Sequence, residues 1–207
     1  MLTITNEDNM ALMARYPDKY FDLAIVDPPY GIDWMQQIQN PNTTANWKQY
    51  ENKEWDKKTP TNEYWEQLFR VSKNQIVWGG NYMTDKLYPS SCWLIWDKTQ
   101  EFSGAVFEMA WTSFKSPAKA FRMSRVEAYA NQNKIHPTQK PQKLYKWILD
   151  KYAQPNDKIL DTHLGSGSIA IACHDYGFDL TTCELDKEYF DKAMERINNH
   201  TAQTKLF

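Results

Sequence analysis

The chain has 207 residues, 42% of them hydrophobic, and sets 24 Lys and Arg against 26 Asp and Glu for a formal net charge of −2. That length suits one α/β core and excludes two full domains, so residues 1–207 are read as a single domain. No apolar stretch is long enough to span a bilayer, and the first residues lack the basic and apolar regions of a signal peptide. Cys92, Cys173 and Cys183 are odd in number and lie in strand- or helix-like contexts. They read as buried free thiols of a reducing compartment, which puts the chain in the cytoplasm. The four histidines show no metal-ligand spacing with them, and no metal is expected.

Hydrophobic periodicity predicts strands near 2–5, 21–27, 74–78, 92–97, 106–112, 157–161 and 179–183, and helices near 62–72, 140–153, 167–176 and 186–199. Asp186 opens the last helix as a capping acid. Strands alternating with helices imply a doubly wound, mostly parallel sheet with its ligand crevice at the carboxyl ends of the strands.

The first chemical signal follows the apolar run Phe21–Val26, where Asp27-Pro28-Pro29-Tyr30 ends a strand. Each proline fixes its φ and lacks an N–H, so the turn offers carbonyl acceptors on a stiff frame. Asp27 adds a carboxylate and Tyr30 a flat apolar face. Together they suit a planar base with an exocyclic amine, whose N–H groups would point at Asp27 and the Pro28 carbonyl. The same tetrapeptide also reads as a rigid turn, since Asp-Pro commonly opens one. The polar stretch from Gly31 to Thr61 carries Trp34, Trp47, Tyr50 and Trp55. It reads either as a flap with aromatics for base stacking or as a loop whose tryptophans pack on the domain.

From Lys115 to Lys146 eight cations face one acid, Glu127, for a net +7, which leaves the remainder at −9. Such a strip can contact phosphates while the other faces stay acidic, although charge runs also occur as solvated faces. Farther on, Asp161-Thr162-His163-Leu164-Gly165-Ser166-Gly167 joins a short strand to a helix rich in small residues. Gly165 and Gly167 let the backbone approach a ligand and the helix start tightly. The three-glycine dinucleotide fingerprint is absent. A second strand ends at Glu184, an acid placed for bidentate hydrogen bonding to ribose hydroxyls or for plain solvation.

These segments together resemble the S-adenosylmethionine-dependent DNA amino-methyltransferases of the permuted beta class, in which Asp-Pro-Pro-Tyr precedes the cofactor motif. The resemblance spans nearly the whole chain. It includes Gln75–Tyr82, Cys92–Lys98, Phe107–Ser113 and the specific run Ile135-His136-Pro137-Thr138-Gln139-Lys140-Pro141, all in the family's order. It implies a Rossmann-like methyltransferase fold with a catalytic half at about 1–114, a short basic recognition region at about 115–134 and a cofactor-binding half at about 135–200. One departure stands at Asp161-Thr162-His163, where the family usually has Asp-Pro-Phe; His163 keeps a ring there or is a plain packed imidazole.

The resemblance implies methyl transfer from S-adenosylmethionine to an exocyclic amine of double-stranded DNA, as in restriction-modification. Asp27, Pro28, Pro29 and Tyr30 would be catalytic, the base flipping out to stack on Tyr30. Asp161, His163, Gly165, Ser166 and Gly167 would shape the cofactor pocket, with Glu184 on the ribose. Thr138 and Lys140 would meet the methionine carboxylate or its neighbouring turn. Adenine N6 is the expected acceptor, because the family's cytosine members more often carry Ser for the first Asp. Cytosine N4 presents the same local geometry and stays open, as does a catalytically silent DNA-binding partner subunit. So short a recognition region would gain from a second copy, and such enzymes often pair as homodimers.

Overall fold

The computed structural model describes residues 1–33, 56–99, 105–130 and 134–202. Eight strands form one sheet: β1 (Leu2–Asn6), β2 (Phe21–Val26), β3 (Ser72–Trp78), β4 (Trp93–Asp97), β5 (Phe107–Thr112), β6 (Lys119–Arg122), β7 (Lys158–Asp161) and β8 (Asp179–Glu184). Their spatial order is β1-β8-β7-β2-β3-β5-β4-β6. Every pairing is parallel except those of β5, which runs antiparallel to both β3 and β4. The expected doubly wound sheet is therefore present, with β5 as its one reversed strand. No α-helix joins β3 to β4; the chain turns through a 3-10 segment at Gly80–Tyr82.

β2 shows why the sheet has helices on both faces. Leu23 and Ile25 enter one apolar cluster while Ala24 and Val26 enter the other, and all four are at most 1% exposed. A strand buried on both sides reads as a continuous apolar run, which is how Phe21–Val26 reads in the sequence. One cluster gathers α1 (Asn9–Ala14) and α2 (Asn62–Val71), whose inward residues Tyr64, Trp65, Leu68 and Val71 follow helical spacing. The other gathers α4 (Gln142–Tyr152), α5 (Ser168–Tyr176) and α6 (Lys187–Thr201), through Leu144, Ile148, Ile169 and Ile197. The short α3 (Arg125–Tyr129) follows β6 in the chain and adds Ala128 to the same cluster.

The sequence periodicity missed α1, β6, α3 and the 3-10 turn, all of six residues or fewer. The signals that mark two of them are caps: Asp8 accepts from Met10 and Ala11 N–H groups, and Ser124 accepts from Glu127 N. The expected capping acid of the last helix is in place, Asp186 accepting from Glu188 N at 3.0 Å and Tyr189 N at 3.1 Å. All three cysteines are buried and unbridged. Among the described residues no helix is long and apolar enough to cross a membrane. Trp34, Trp47, Tyr50 and Trp55, on which the flap reading rests, lie outside the described residues.

Candidate active site

The three acids singled out from the sequence follow or close β2, β7 and β8, which are neighbours in the sheet. The registers Ala24↔Leu160 and Asp161↔Thr182 set Asp27, Asp161 and Glu184 along one rim at the carboxyl ends of parallel strands. With strands about 4.8 Å apart and about 3.3 Å per residue, Asp27 and Asp161 are separated by roughly 8 Å at Cα. The two turns therefore open on the same edge of the sheet.

On the β2 side, the turn is fixed from several directions. The carboxylate of Asp56, itself 5% exposed, accepts from Tyr30 N at 2.7 Å and Gly31 N at 3.2 Å. Gly79 adopts φ +69°, and a Cβ built there would stand 2.1 Å from the Tyr30 ring. Only glycine lets the ring lie against that backbone. Tyr82 stacks on Tyr30 with ring centroids 5.3 Å apart and planes 17° from parallel. The Tyr30 hydroxyl donates to Asp27 Oδ1 at 2.8 Å.

Lys140 reaches the same acid. Its ammonium donates to Asp27 Oδ2 and to Tyr30 OH at 3.1 Å, and it lies 3.3 Å from Glu108 Oε2. Glu108 in turn pairs with Lys98 at 2.8 Å. Trp78 provides an aromatic wall, its ring centroid 5.2 Å from Lys140 Nζ. Burial pushes the Asp27 carboxyl above the ordinary range, while Lys140 pulls against that rise. At Glu108 burial pushes upward too, but Lys140 and Lys98 outweigh it and bring the carboxyl down to about 2. Burial, together with the Asp27 charge, raises the Tyr30 phenol, so it is a neutral donor.

The β7 side is built differently. Asp161 accepts from His163 N at 3.0 Å and from Thr182 Oγ1 at 3.2 Å, and burial raises its carboxyl to about 7. Glu184 accepts from Gly165 N at 2.9 Å and from Asp186 N at 3.0 Å, and burial raises it as well. Gly165 has φ +53°, and a Cβ there would meet nothing nearer than His136, 3.8 Å away. Gly167, at φ +74°, packs against Ile197 and caps α5. Ser166 shares a hydrogen bond with Ser168, and its carbonyl accepts from Arg196 at 2.6 Å.

His163 is a packed ring in this setting. Its Nδ1 lies 2.8 Å from Thr162 Oγ1, its Nε2 lies 3.1 Å from Asn9 Nδ2, and its edge meets Tyr64. Burial lowers it to about 4, so the imidazole is neutral near pH 7. Thr138 bonds to His136, whose ring lies against Tyr189. Thr138 thus stays near the glycine turn, whereas the described partners of the Lys140 ammonium belong to the Asp27 side. This also removes Lys140 from any phosphate-facing strip, since it is 3% exposed. Of the other strip residues, Lys146 pairs with Asp175 at 2.6 Å and Arg122 with Asp97 at 3.3 Å.

Sequence reasoning missed Glu108, Lys98, Asp56, Gly79 and Tyr82 as members of this region. Glu108 carried a usable signal, a lone acid among Phe107, Met109, Ala110 and Trp111 of its strand. Asp56 gave none.

Comparison with known proteins agrees with this architecture. A family model described as DNA methylase, of the N6/N4 type, matches residues 77–195. The chain belongs to that family of DNA-modifying enzymes. The type II methyltransferase M.HpaI of Haemophilus parainfluenzae is 33% identical over 85 residues, covering 41% of this chain and only 27% of that protein. M.BglII of Bacillus subtilis is 22% identical over an alignment covering 99% of this chain and 71% of its own length. The solved M1.HpyAVI–SAM complex superposes with a TM-score of 0.63 at 17% identity, covering 96% of this chain and all of that one.

Proposed function

We propose that this protein transfers a methyl group from S-adenosylmethionine to the exocyclic amine of a base in DNA, either N6 of adenine or N4 of cytosine. The observation that carries this reading is the shared rim on which an acid-and-proline turn at β2 stands beside a glycine turn flanked by two acids at β7 and β8. The residues suit the cofactor. A Cβ at Gly165 would meet no atom closer than ordinary contact distance, and Asp161 and Glu184 place carboxyl groups where a cationic sulfonium and a pair of ribose hydroxyls would lie.

When bound, the cofactor supplies an electrophilic methyl on a positively charged sulfur. The chain's residues do the aligning. Asp27 and the Pro28 carbonyl accept the two N–H groups of the base amine, favour a more tetrahedral nitrogen, and stabilise the positive charge that grows on it as the N–C bond forms and the S–C bond breaks. Each such preorganised contact contributes about 2–4 kcal/mol in comparable sites. Asp27 or solvent then takes the amine proton. The stacked Tyr30 and Tyr82 rings, beside the stiff Pro28-Pro29 turn, present a rigid setting for a base turned out of the duplex. Glu184 holds the ribose, Asp161 and the Gly165–Gly167 turn frame the pocket, and the interval 115–134 supplies the recognition contacts. A second copy would extend that short surface.

Both amines offer the Asp27 turn the same pair of N–H donors, and the family is named for both. Mass spectrometry of nucleosides from DNA incubated with protein and cofactor assigns the base. N6-methyladenine or N4-methylcytosine supports the reading. Neither product, with DNA binding intact, replaces it with a silent DNA-binding module.

A further inference from the structure

A row of alternating charge leads away from Asp27 into the protein. Lys140 contacts Asp27 and Glu108, and Lys98 contacts Glu108 from the far side. The two ammonium groups are nearly sealed, at 1% and 7% side-chain exposure. Apolar side chains of similar volume often stabilise a fold as well as or better than buried ion pairs, so a four-membered row beside the reacting group points to a role other than stability. Asp27 and Lys140 alone would already be neutral. In such a pair, however, the full ammonium field would fall on Asp27 and draw in the lone pairs that the substrate amine needs. Glu108 takes a share of that ammonium, and Lys98 keeps Glu108 ionised so that it can do so.

We propose that Glu108 and Lys98 are positioning residues that divide the charge of Lys140, leaving Asp27 ionised yet still a strong hydrogen-bond acceptor for the incoming amine. The inference rests on the amino-methylation reading and specifies how its acid is tuned. Other groups also face Asp27. Tyr30 donates to it, Tyr145 of α4 and Asp161 of β7 lie within its field, and Lys134, beside Arg125, acts on Glu108, Lys98 and Lys140. They are the same in every variant below, so differences between variants report the row.

The test follows the Asp27 carboxyl directly, by carbon-13 NMR of full-length protein labelled at aspartate carboxyls, with the Asp27 signal assigned through Asp27→Asn. Removing the negative Glu108 in Glu108→Gln lowers the Asp27 midpoint by about one pH unit, and removing the positive Lys140 in Lys140→Met raises it by at least as much. The double variant Lys98→Met/Glu108→Gln removes one charge of each sign, keeps the interior neutral, and still lowers the midpoint. It serves where a single variant fails to fold. Alongside, Glu108→Gln loses about tenfold in methyl-transfer kcat at pH 7 with the cofactor KM unchanged, a split that general loosening would not give. An Asp27 midpoint that stays put in both Glu108→Gln and the double variant, or that moves upward, overturns the proposal. Should the wild type transfer no methyl while the midpoints shift as stated, the row stands and the amino-methylation reading falls. If the wild type is active and the midpoints do not move, amino-methylation stands and the charge-dividing row falls.

Discussion

The two halves of the rim handle negative charge in opposite ways. At β2, Asp27 is met by an ammonium and a phenol, and its neighbour Glu108 by two ammonium groups. At β7 and β8, the described partners of Asp161 and Glu184 are backbone N–H groups and one hydroxyl. An ammonium beside a carboxylate favours its ionised, accepting form. An acid held by neutral dipoles stays poised for a cation or for hydroxyl donors brought by a ligand. The contrast separates acceptance of an amine from holding of a cationic cofactor, on two turns that share one edge.

Gly79→Ala attacks the compensated side most severely. The substitution combines a left-handed backbone with a Cβ inside the Tyr30 ring, so about 1–3 kcal/mol of stability is lost in thermal or denaturant unfolding and the ring is displaced. Methyl transfer falls further than cofactor binding does. Glu184→Gln acts on the other side, exchanging a charged acceptor for a neutral amide. The expected outcome is about tenfold weaker binding of S-adenosylmethionine by calorimetry, which excess cofactor overcomes in the transfer assay.

Acidity sharpens the contrast. Because burial lifts Asp161 to about 7, the folded protein binds a proton there that the unfolded chain releases near pH 4. The Asp161 contribution to stability is therefore fully present below about pH 4 and declines as pH rises toward 7. A cationic cofactor favours the ionised carboxyl. Its affinity drops by up to about tenfold per pH unit as pH falls below 7, and Asp161→Asn flattens that dependence, as calorimetry at several pH values reads. His163 works the other way on stability: neutral in the folded protein down to about 4 but protonated near 6.5 once unfolded, it opposes the Asp161 decline between about pH 4 and 6.5. The smallest effect lies outside the comparison: Asp186→Ala removes the α6 cap and about 1 kcal/mol, visible as a melting point lower by a few degrees.

Asp27-Pro28-Pro29-Tyr30 and Gly165-Ser166-Gly167 were readable as sequence because rigidity and backbone freedom are local properties of proline and glycine. The strands that carry them were readable as well, since a strand buried on both faces leaves an unbroken apolar run. The antiparallel insertion of β5 was not, because strand direction depends on how the chain is routed between β3 and β4. Nor was the position of Lys140. Its neighbours His136, Pro137 and Pro141 suggest a turn beside a cofactor, but only the folded register brings its ammonium to residues 113 and 32 positions away in the chain. Asp56 was hidden for the same reason: a carboxylate that caps a turn 26 residues earlier leaves no periodic trace.

Single-turnover transfer of a radiolabelled methyl group, measured together with cofactor calorimetry on Asp27→Ala, bears most directly on the division of labour along the rim. The variant should bind S-adenosylmethionine within a few-fold of wild type while its transfer rate falls by about 10²–10³. Transfer at the wild-type rate, or loss of cofactor binding in step with activity, would contradict it.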